Sequence, residues 1–270
     1  MVASDKLFAG SIPDIYDRFL VPLIFESYAR DLAGRLARTN PRDVLEIAAG
    51  TGVVTRAMSA RLSKAARIVA TDLNQPMLNH AKARQPGGRR IEWRQADALA
   101  LPFKEHSFDA VVCQFGVMFF SDKVRGYKET RRVLRPGGRF FFNVWDRISE
   151  NDFADTVTEA LATVFPDDPP RFLARTPHGY YDEKQIRDEL DAAGFKDIAS
   201  EAVDARSEAP SPRDPAIAYC QGTPLRSEIV ARDASRMEEA TTRAAEALAR
   251  RFGKGVVDGR IRAFVITAVR

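Results

Sequence analysis

The chain has 270 residues, 45% of them hydrophobic and 29% charged, with 41 basic residues nearly balancing 37 acidic ones for a net charge of +4. That composition suits a globular protein with a substantial core and excludes disorder, a collagen-like repeat and a strongly basic nucleic-acid-binding surface. Cys113 and Cys220 are too few to staple a chain of this size and form no CxxC pair, so neither a disulfide framework nor a metal site is expected.

Between Ile12 and Arg38 the apolar residues Ile15, Phe19, Leu23, Leu32 and Leu36 recur largely at helical intervals, and Pro22 predicts a kinked or paired helix. Short apolar runs then alternate with longer amphipathic ones. Strands are expected at Asp43 to Ala48, Arg67 to Asp72, Ile91 to Gln95 and Phe108 to Gln114, with helices at Val53 to Ser63 and Pro76 to Arg84. This alternation is the signature of a parallel sheet covered by helices on both faces, a doubly wound α/β fold. A helix from Lys123 to Leu134 is closed by Arg135-Pro136-Gly137-Gly138 and followed by a strand from Arg139 to Val144. Helices follow at Asp152 to Val164 and Glu183 to Ala193, the second opened by Asp182 and Gln185 in the spacing of a capping box. Lys196 to Ala205 reads as a strand, Pro210 to Pro224 as a connection holding a short helix, Glu228 to Arg251 as one long polar helix, and Arg260 to Val269 as a last strand.

No stretch reaches the ~18 uninterrupted apolar residues of a membrane span. Asp5 and Lys6 precede any apolar run, so a signal peptide is not expected and a cytoplasmic location is.

The segment Glu46-Ile47-Ala48-Ala49-Gly50-Thr51-Gly52 lies where a strand hands over to a helix, and there backbone N–H groups are free to meet a ligand. Asp72 ends the second strand as an exposed acid able to grip the vicinal hydroxyls of a ribose, and Asp97 follows the third strand, placed to accept from an adenine amino group. A nicotinamide fingerprint needs a third glycine at the sixth position counting Gly50 as the first, but that position is Thr55.

With Thr71-Asp72, Ala96-Asp97-Ala98, Leu101-Pro102-Phe103, Ser107-Phe108-Asp109 and Leu134-Arg135-Pro136-Gly137-Gly138 in the same order, the stretch from Pro41 to Trp145 resembles the class I S-adenosylmethionine-dependent methyltransferases. The likeness is to the small-molecule branch that includes the ubiquinone and menaquinone C-methyltransferases. It implies a Rossmann-like seven-stranded sheet with its last strand antiparallel, plus a helical cap. One domain over residues 1–270 would then comprise an N-terminal cap (1–40), a cofactor-binding core (41–146) and substrate-cap segments with the final strands (147–270). S-adenosylmethionine would be held by Glu46, Ala48, Gly50, Thr51, Gly52, Asp72, Leu73, Met77, Asp97, Ala98 and Gln114, with Tyr16 closing over it and Arg18 able to meet its carboxylate; S-adenosylhomocysteine would be the product. Ala48 departs from the usual glycine and narrows the room beside the methionine moiety.

In an open α/β sheet ligands lie beyond the carboxyl ends of the strands, so Phe115, Met118, Phe119 and Trp145 are expected to line a pocket for a hydrophobic or aromatic small molecule. His178, in a loop with an imidazole that titrates near neutral pH, is the candidate base. No metal and no nucleic-acid or membrane partner is expected, and monomer and homodimer are both open. Two other readings stand beside methyl transfer: a cofactor-binding protein without turnover, and a non-methylating enzyme on the same fold.

Overall fold

A computed structural model describes residues 12–88 and 90–270; Asp5 and Lys6 lie outside the described residues. In chain order, α1 (Ile12–Ile15), a π-helical segment (Tyr16–Phe25) and α2 (Glu26–Ala37) lead into β1 (Asp43–Glu46), α3 (Val53–Arg61), β2 (Arg67–Asp72), α4 (Gln75–Arg84), β3 (Ile91–Gln95), β4 (Phe108–Gln114), α5 (Lys123–Val133) and β5 (Leu134–Trp145). Then come α6 (Asp152–Val164), α7 (Phe172–Arg175), α8 (Glu183–Ala192), β6 (Lys196–Ala209), α9 (Arg213–Gly222), α10 (Leu225–Asp233), α11 (Met237–Phe252) and β7 (Val257–Val269). The sheet order is β3-β2-β1-β4-β5-β7-β6. Strands β1 to β5 pair in parallel. β7 runs antiparallel to β5: Asp146 donates to the Arg262 carbonyl, and Arg270 to that of Gly138. Among the described residues no helix is long and apolar enough to cross a membrane.

The chain divides into two compact units. The first, called here the core unit, holds Glu26–Val144, Tyr181–Val203 and Phe264–Arg270. Val44 and Val112, from the central strands, are fully buried among Leu32, Leu36 and Met58, as a strand covered on both faces requires. Asp182 caps α8 by accepting from the N–H groups of Lys184 and Gln185, but the Gln185 amide turns to Glu189, so only half of the expected capping box forms.

Proline and glycine after α5 do not make a separate turn. Phe108 pairs with Leu134 and Ala110 already with Arg139, so Arg135 to Gly138 bulge out of β5. Gly137 supplies a positive φ of 76°, and a Cβ on Gly138 would come within 2.8 Å of the Arg135 carbonyl oxygen. The bulge sends Arg135 back to Asp109 (2.5 Å) and Asp43 (2.9 Å).

The second unit, called here the cap unit, comprises the stretch up to Phe25, Trp145–Tyr180 and Asp204–Ala263. Pro22 falls within the π-helical segment, whose wider turn accommodates the missing N–H. α11 packs on α6 and α9, and α9 on the π-helical segment. The single helix expected from Glu228 to Arg251 is two helices. Asp233 turns its carboxylate onto the Ser235 N–H and opens a 3-10 turn over Ala234–Arg236, a local competition with the helical ladder that aspartate favours.

Asp109 is the polar hinge of the core unit's strand starts, accepting from the N–H groups of Arg42 (2.8 Å) and Asp43 (2.9 Å) as well as from Arg135. Burial pulls its carboxyl upward, but the Arg135 guanidinium and the two N–H donors outweigh that and hold it below the ordinary aspartate value. The stability this contributes is present above that ordinary value and lost as pH falls through the lowered one. Asp109→Ala should lower the unfolding free energy by about 2 kcal/mol, because two strand-start N–H groups lose their acceptor; urea denaturation at pH 7 measures it.

Candidate functional site

β1 ends at Glu46 and α3 starts at Val53, and the six residues between form a loop whose backbone has little freedom. Gly50 and Gly52 adopt φ of 55° and 81°, and Ala48 does so as well at 56°. A Cβ on Gly50 would touch nothing closer than the Met77 methyl carbon at 3.8 Å, so the loop is open beside Gly50. α3 begins at Gly52 with no side-chain cap, leaving its first-turn N–H groups without a capping side chain. The Thr51 hydroxyl is buried and has no hydrogen-bond partner among the described residues.

Three acids surround this loop in different ways. Asp72, expected on an exposed strand end, is only 7% exposed. Its Oδ2 accepts from the Gly50 N–H at 2.9 Å, and its Oδ1 accepts from the Asn74 N–H at 2.8 Å and, at 3.4 Å, from the Asn74 amide. Burial raises its carboxyl above the ordinary value, against the opposing pull of those donors. Glu46 is buried and accepts from the Thr55 hydroxyl at 2.5 Å; burial pushes its carboxyl up to about 8. Asp97 is exposed and accepts from the Leu99 N–H at 2.9 Å, a loop-capping bond that occupies one of its two oxygens. Ala98 follows it half-buried, and Leu73 stands 43% exposed beyond Asp72.

After β4 the chain turns sharply. Gln114 and Met118 are buried, Phe115 is buried with a φ of 48°, and Phe119 is half-buried. Phe115 packs edge-on against Tyr28, with centroids 5.4 Å apart. Its strained backbone is held by Asn143, whose side-chain oxygen accepts the Phe115 N–H at 2.9 Å. Gly116 follows because nothing larger fits: a Cβ there would lie 2.6 Å from both Ala48 Cβ and Cys113 Sγ. Thr55, Asn74, Gly116 and Asn143 were not singled out in the sequence, although a lone asparagine inside Phe140-Phe141-Phe142-Asn143-Val144-Trp145 marks a buried polar group in a central strand.

Tyr16, Trp145 and His178 belong to the cap unit. Tyr16 stacks on Phe25 with centroids 5.0 Å apart and planes 21° from parallel; Phe25 lies 6.0 Å from Trp145, and Trp145 lies 5.9 Å from His178. Arg18 is exposed and covers the Phe19 ring at 4.9 Å. His178 is not a surface loop residue titrating near neutrality. It is 6% exposed, its Nδ1 donates to the Asp146 carbonyl at 2.9 Å, and burial lowers its pKa to about 4. Phe172, Leu173 and Tyr180, on either side of it in the chain, are buried as well.

Residues 45–142 match the family described as methyltransferase domain. Over that stretch the chain is similar to this family. The domain's curated relatives include a demethylmenaquinone methyltransferase of Deinococcus radiodurans, 37% identical over 142 residues that cover 51% of this chain and 58% of that protein. Another is a ubiquinone/menaquinone biosynthesis C-methyltransferase, UbiE, of Hahella chejuensis, 41% identical over 99 residues, 36% of this chain and 40% of that one. The aligned stretches thus span less than two thirds of these relatives. Among solved structures, Haemonchus contortus phosphoethanolamine N-methyltransferase 2, crystallised with S-adenosyl-L-methionine, shares the fold at a TM-score of 0.60 and 16% identity, covering 100% of this chain and 60% of that one. Bacillus subtilis YcgJ shares it at 0.54 and 18%, covering 89% and 98%. The seven strands and the antiparallel β7 expected from the sequence are those of the methyltransferase fold.

Two measurements follow from this geometry. Ala48 holds a left-handed backbone that costs an L-residue roughly 1 to 2 kcal/mol, while glycine in its place loses about 0.4 to 1 kcal/mol through the freer unfolded chain. Ala48→Gly should therefore stabilise the protein by about 0.5 to 1 kcal/mol, read as a higher denaturation midpoint with an unchanged slope.

The second concerns pH. The folded state disfavours protonated His178, so its contribution to stability is complete above about 6.5 and is lost as pH falls from there through about 4. Glu46 works the other way: the folded state holds its proton more tightly, so stability falls as pH rises from about 4.5 to 8. His178→Phe should flatten the acid limb and Glu46→Gln the limb above it in chemical denaturation from pH 4 to 9. Parallel curves for wild type and either variant would contradict that variant's assignment.

Proposed function

We propose that this chain transfers a methyl group from S-adenosylmethionine to a small-molecule acceptor. The observation that carries the reading is the loop of Ala48 to Gly52 drawn onto the Asp72 carboxylate, with a buried, unpartnered Thr51 hydroxyl and an uncapped helix start beside it. Buried polar groups without partners are uncommon in packed proteins, so a hydroxyl left open next to free N–H groups suits a ligand with acceptor atoms. The open space beside Gly50 suits close approach of that ligand to the backbone. The residues present fit the cofactor.

Asp72 would hold the ribose. Its Oδ2 has a lone pair beyond the one used by Gly50, and the 3.4 Å contact from the Asn74 amide to Oδ1 is long enough to yield to a hydroxyl. Asp97 has one oxygen beyond its bond to Leu99 for an adenine amino group, with the Ala98 backbone adjacent and Leu73 and Met77 supplying apolar surface. Glu46, Thr51 and Gln114 would face the methionine end, where an incoming cation would favour the ionised form of Glu46. Phe115, Met118 and Phe119 would supply the apolar wall towards the acceptor.

The cofactor supplies an electrophilic methyl on a leaving thioether that needs no proton. What remains for the protein is alignment and exclusion of water, the work of rigid, buried side chains. The near balance of charge supports a small acceptor rather than a nucleic acid.

The test is transfer of labelled methyl to a panel of quinone precursors, phenols and fatty or polyketide acids, alongside calorimetric titration of the cofactor. Asp72→Asn keeps an acceptor for the Gly50 N–H and should weaken cofactor binding at least tenfold with little loss of stability. Asp72→Ala should weaken it further and lower the melting temperature too, because Gly50 and Asn74 then lose their acceptor. Wild-type affinity in both variants would remove the ribose assignment.

A further inference from the structure

In β5 the run Phe140-Phe141-Phe142 leads into Asn143, a polar side chain that is 0% exposed between apolar neighbours. Its Oδ1 accepts the Phe115 N–H at 2.9 Å, yet that N–H already reaches the Asn143 backbone carbonyl at 3.2 Å. The side chain is therefore a second acceptor for a donor that the sheet satisfies by itself. With Oδ1 committed to Phe115, the amide Nδ2 needs an acceptor of its own, and it has no hydrogen-bond partner among the described residues. A buried donor left unmatched costs stability, and so does the left-handed backbone of Phe115, with its φ of 48°. Leucine at 143 would continue the apolar run and remove the first of these costs. Stability alone gives no reason for asparagine here, and strain of this kind gathers where a fold holds a ligand.

What the asparagine does supply is direction. Asn143 stands in register with Gln114 at the carboxyl ends of β5 and β4, the end of a parallel sheet beyond which ligands lie. Two acceptors on one N–H pin the peptide between Gln114 and Phe115, which a single carbonyl would let swing. Gly116 completes the turn between Ala48 and Cys113, where no Cβ fits. We propose that Asn143 is a positioning residue for the cofactor site: through the Phe115 N–H it holds the turn after β4 in its left-handed form, so that Gln114 and Phe115 stand in place before S-adenosylmethionine arrives. The proposal rests on the methyltransferase reading, because that reading supplies the ligand whose binding reports the position.

The test sets stability against affinity. Thermal denaturation and calorimetric titration of S-adenosylmethionine are run at pH 6 on the full chain as wild type, Asn143→Leu and Asn143→Asp. Asn143→Leu should melt no lower than wild type and bind the cofactor at least about fivefold more weakly. Asn143→Asp keeps an oxygen for the Phe115 N–H, and burial favours its neutral carboxyl at this pH, so it should bind within about twofold of wild type. A purely structural asparagine gives a different pattern: leucine then lowers melting temperature and affinity together, or lowers neither. Equal affinity in wild type and Asn143→Leu, a lower melting temperature in Asn143→Leu, or no recovery of affinity in Asn143→Asp would each overturn the proposal and leave the methyltransferase reading standing. Wild type that does not bind S-adenosylmethionine would remove both.

Discussion

The hydrogen bond from the Gly50 N–H to the Asp72 carboxylate joins the ends of two neighbouring parallel strands, and the shape of the loop depends on it. Without an acceptor at that point the turn from β1 into α3 would have no reason to pass over the end of β2. With it, the Ala49 N–H reaches the Thr71 carbonyl, and the Ala96 N–H after β3 reaches that of Asp72. The carboxylate is therefore structural, and in the proposed reading it also faces the ligand. Its two oxygens are already partly committed to backbone, which fixes their direction before any ligand arrives and spares the reorganisation that a solvated side chain would undergo.

Much of this was legible in the sequence. Strand and helix alternation, the buried central strand around Val111 and Val112, and the placing of Glu46, Gly50, Asp72 and Asp97 at strand ends all follow from periodicity and from where glycine and acids fall. What was not legible depended on contacts distant in sequence. Asp72 reads as exposed because strand ends usually are, yet the loop folds back and covers it. His178 reads as a loop residue because prolines and polar residues surround it, yet it is buried, with its ring 5.9 Å from that of Trp145. The break at Asp233 could have been read from an aspartate two positions before a serine, but a run of glutamate, arginine and alanine on either side masks it.

The two units solve their polar problems differently. In the core unit, burial of Glu46 and Asp72 is offset by backbone, amide and hydroxyl donors, with no lysine or arginine among the described residues hydrogen-bonded to either acid. In the cap unit, β7 and α11 bring Arg251 and Arg260 onto Glu150 and Asp152, joining α6 to the last strand through charge-assisted bonds. Such partly exposed pairs are individually weak, and they add directional contacts beside the edge-on packing of Phe153 against Phe252.

The close approach of Ala48 and Gly116 has a consequence for how this sequence can change. A methyl at 48 and a methyl at 116 would occupy the same space, so the tolerance of each position is conditional on the other. With Ala48 in place, no side chain at 116 is accessible in one step. With glycine at 48, one of the two close obstacles at 116 disappears and only the Cys113 thiol remains. Substitutions here are thus order-dependent: a path through 48 and 113 first can reach variants at 116 that a path starting at 116 cannot.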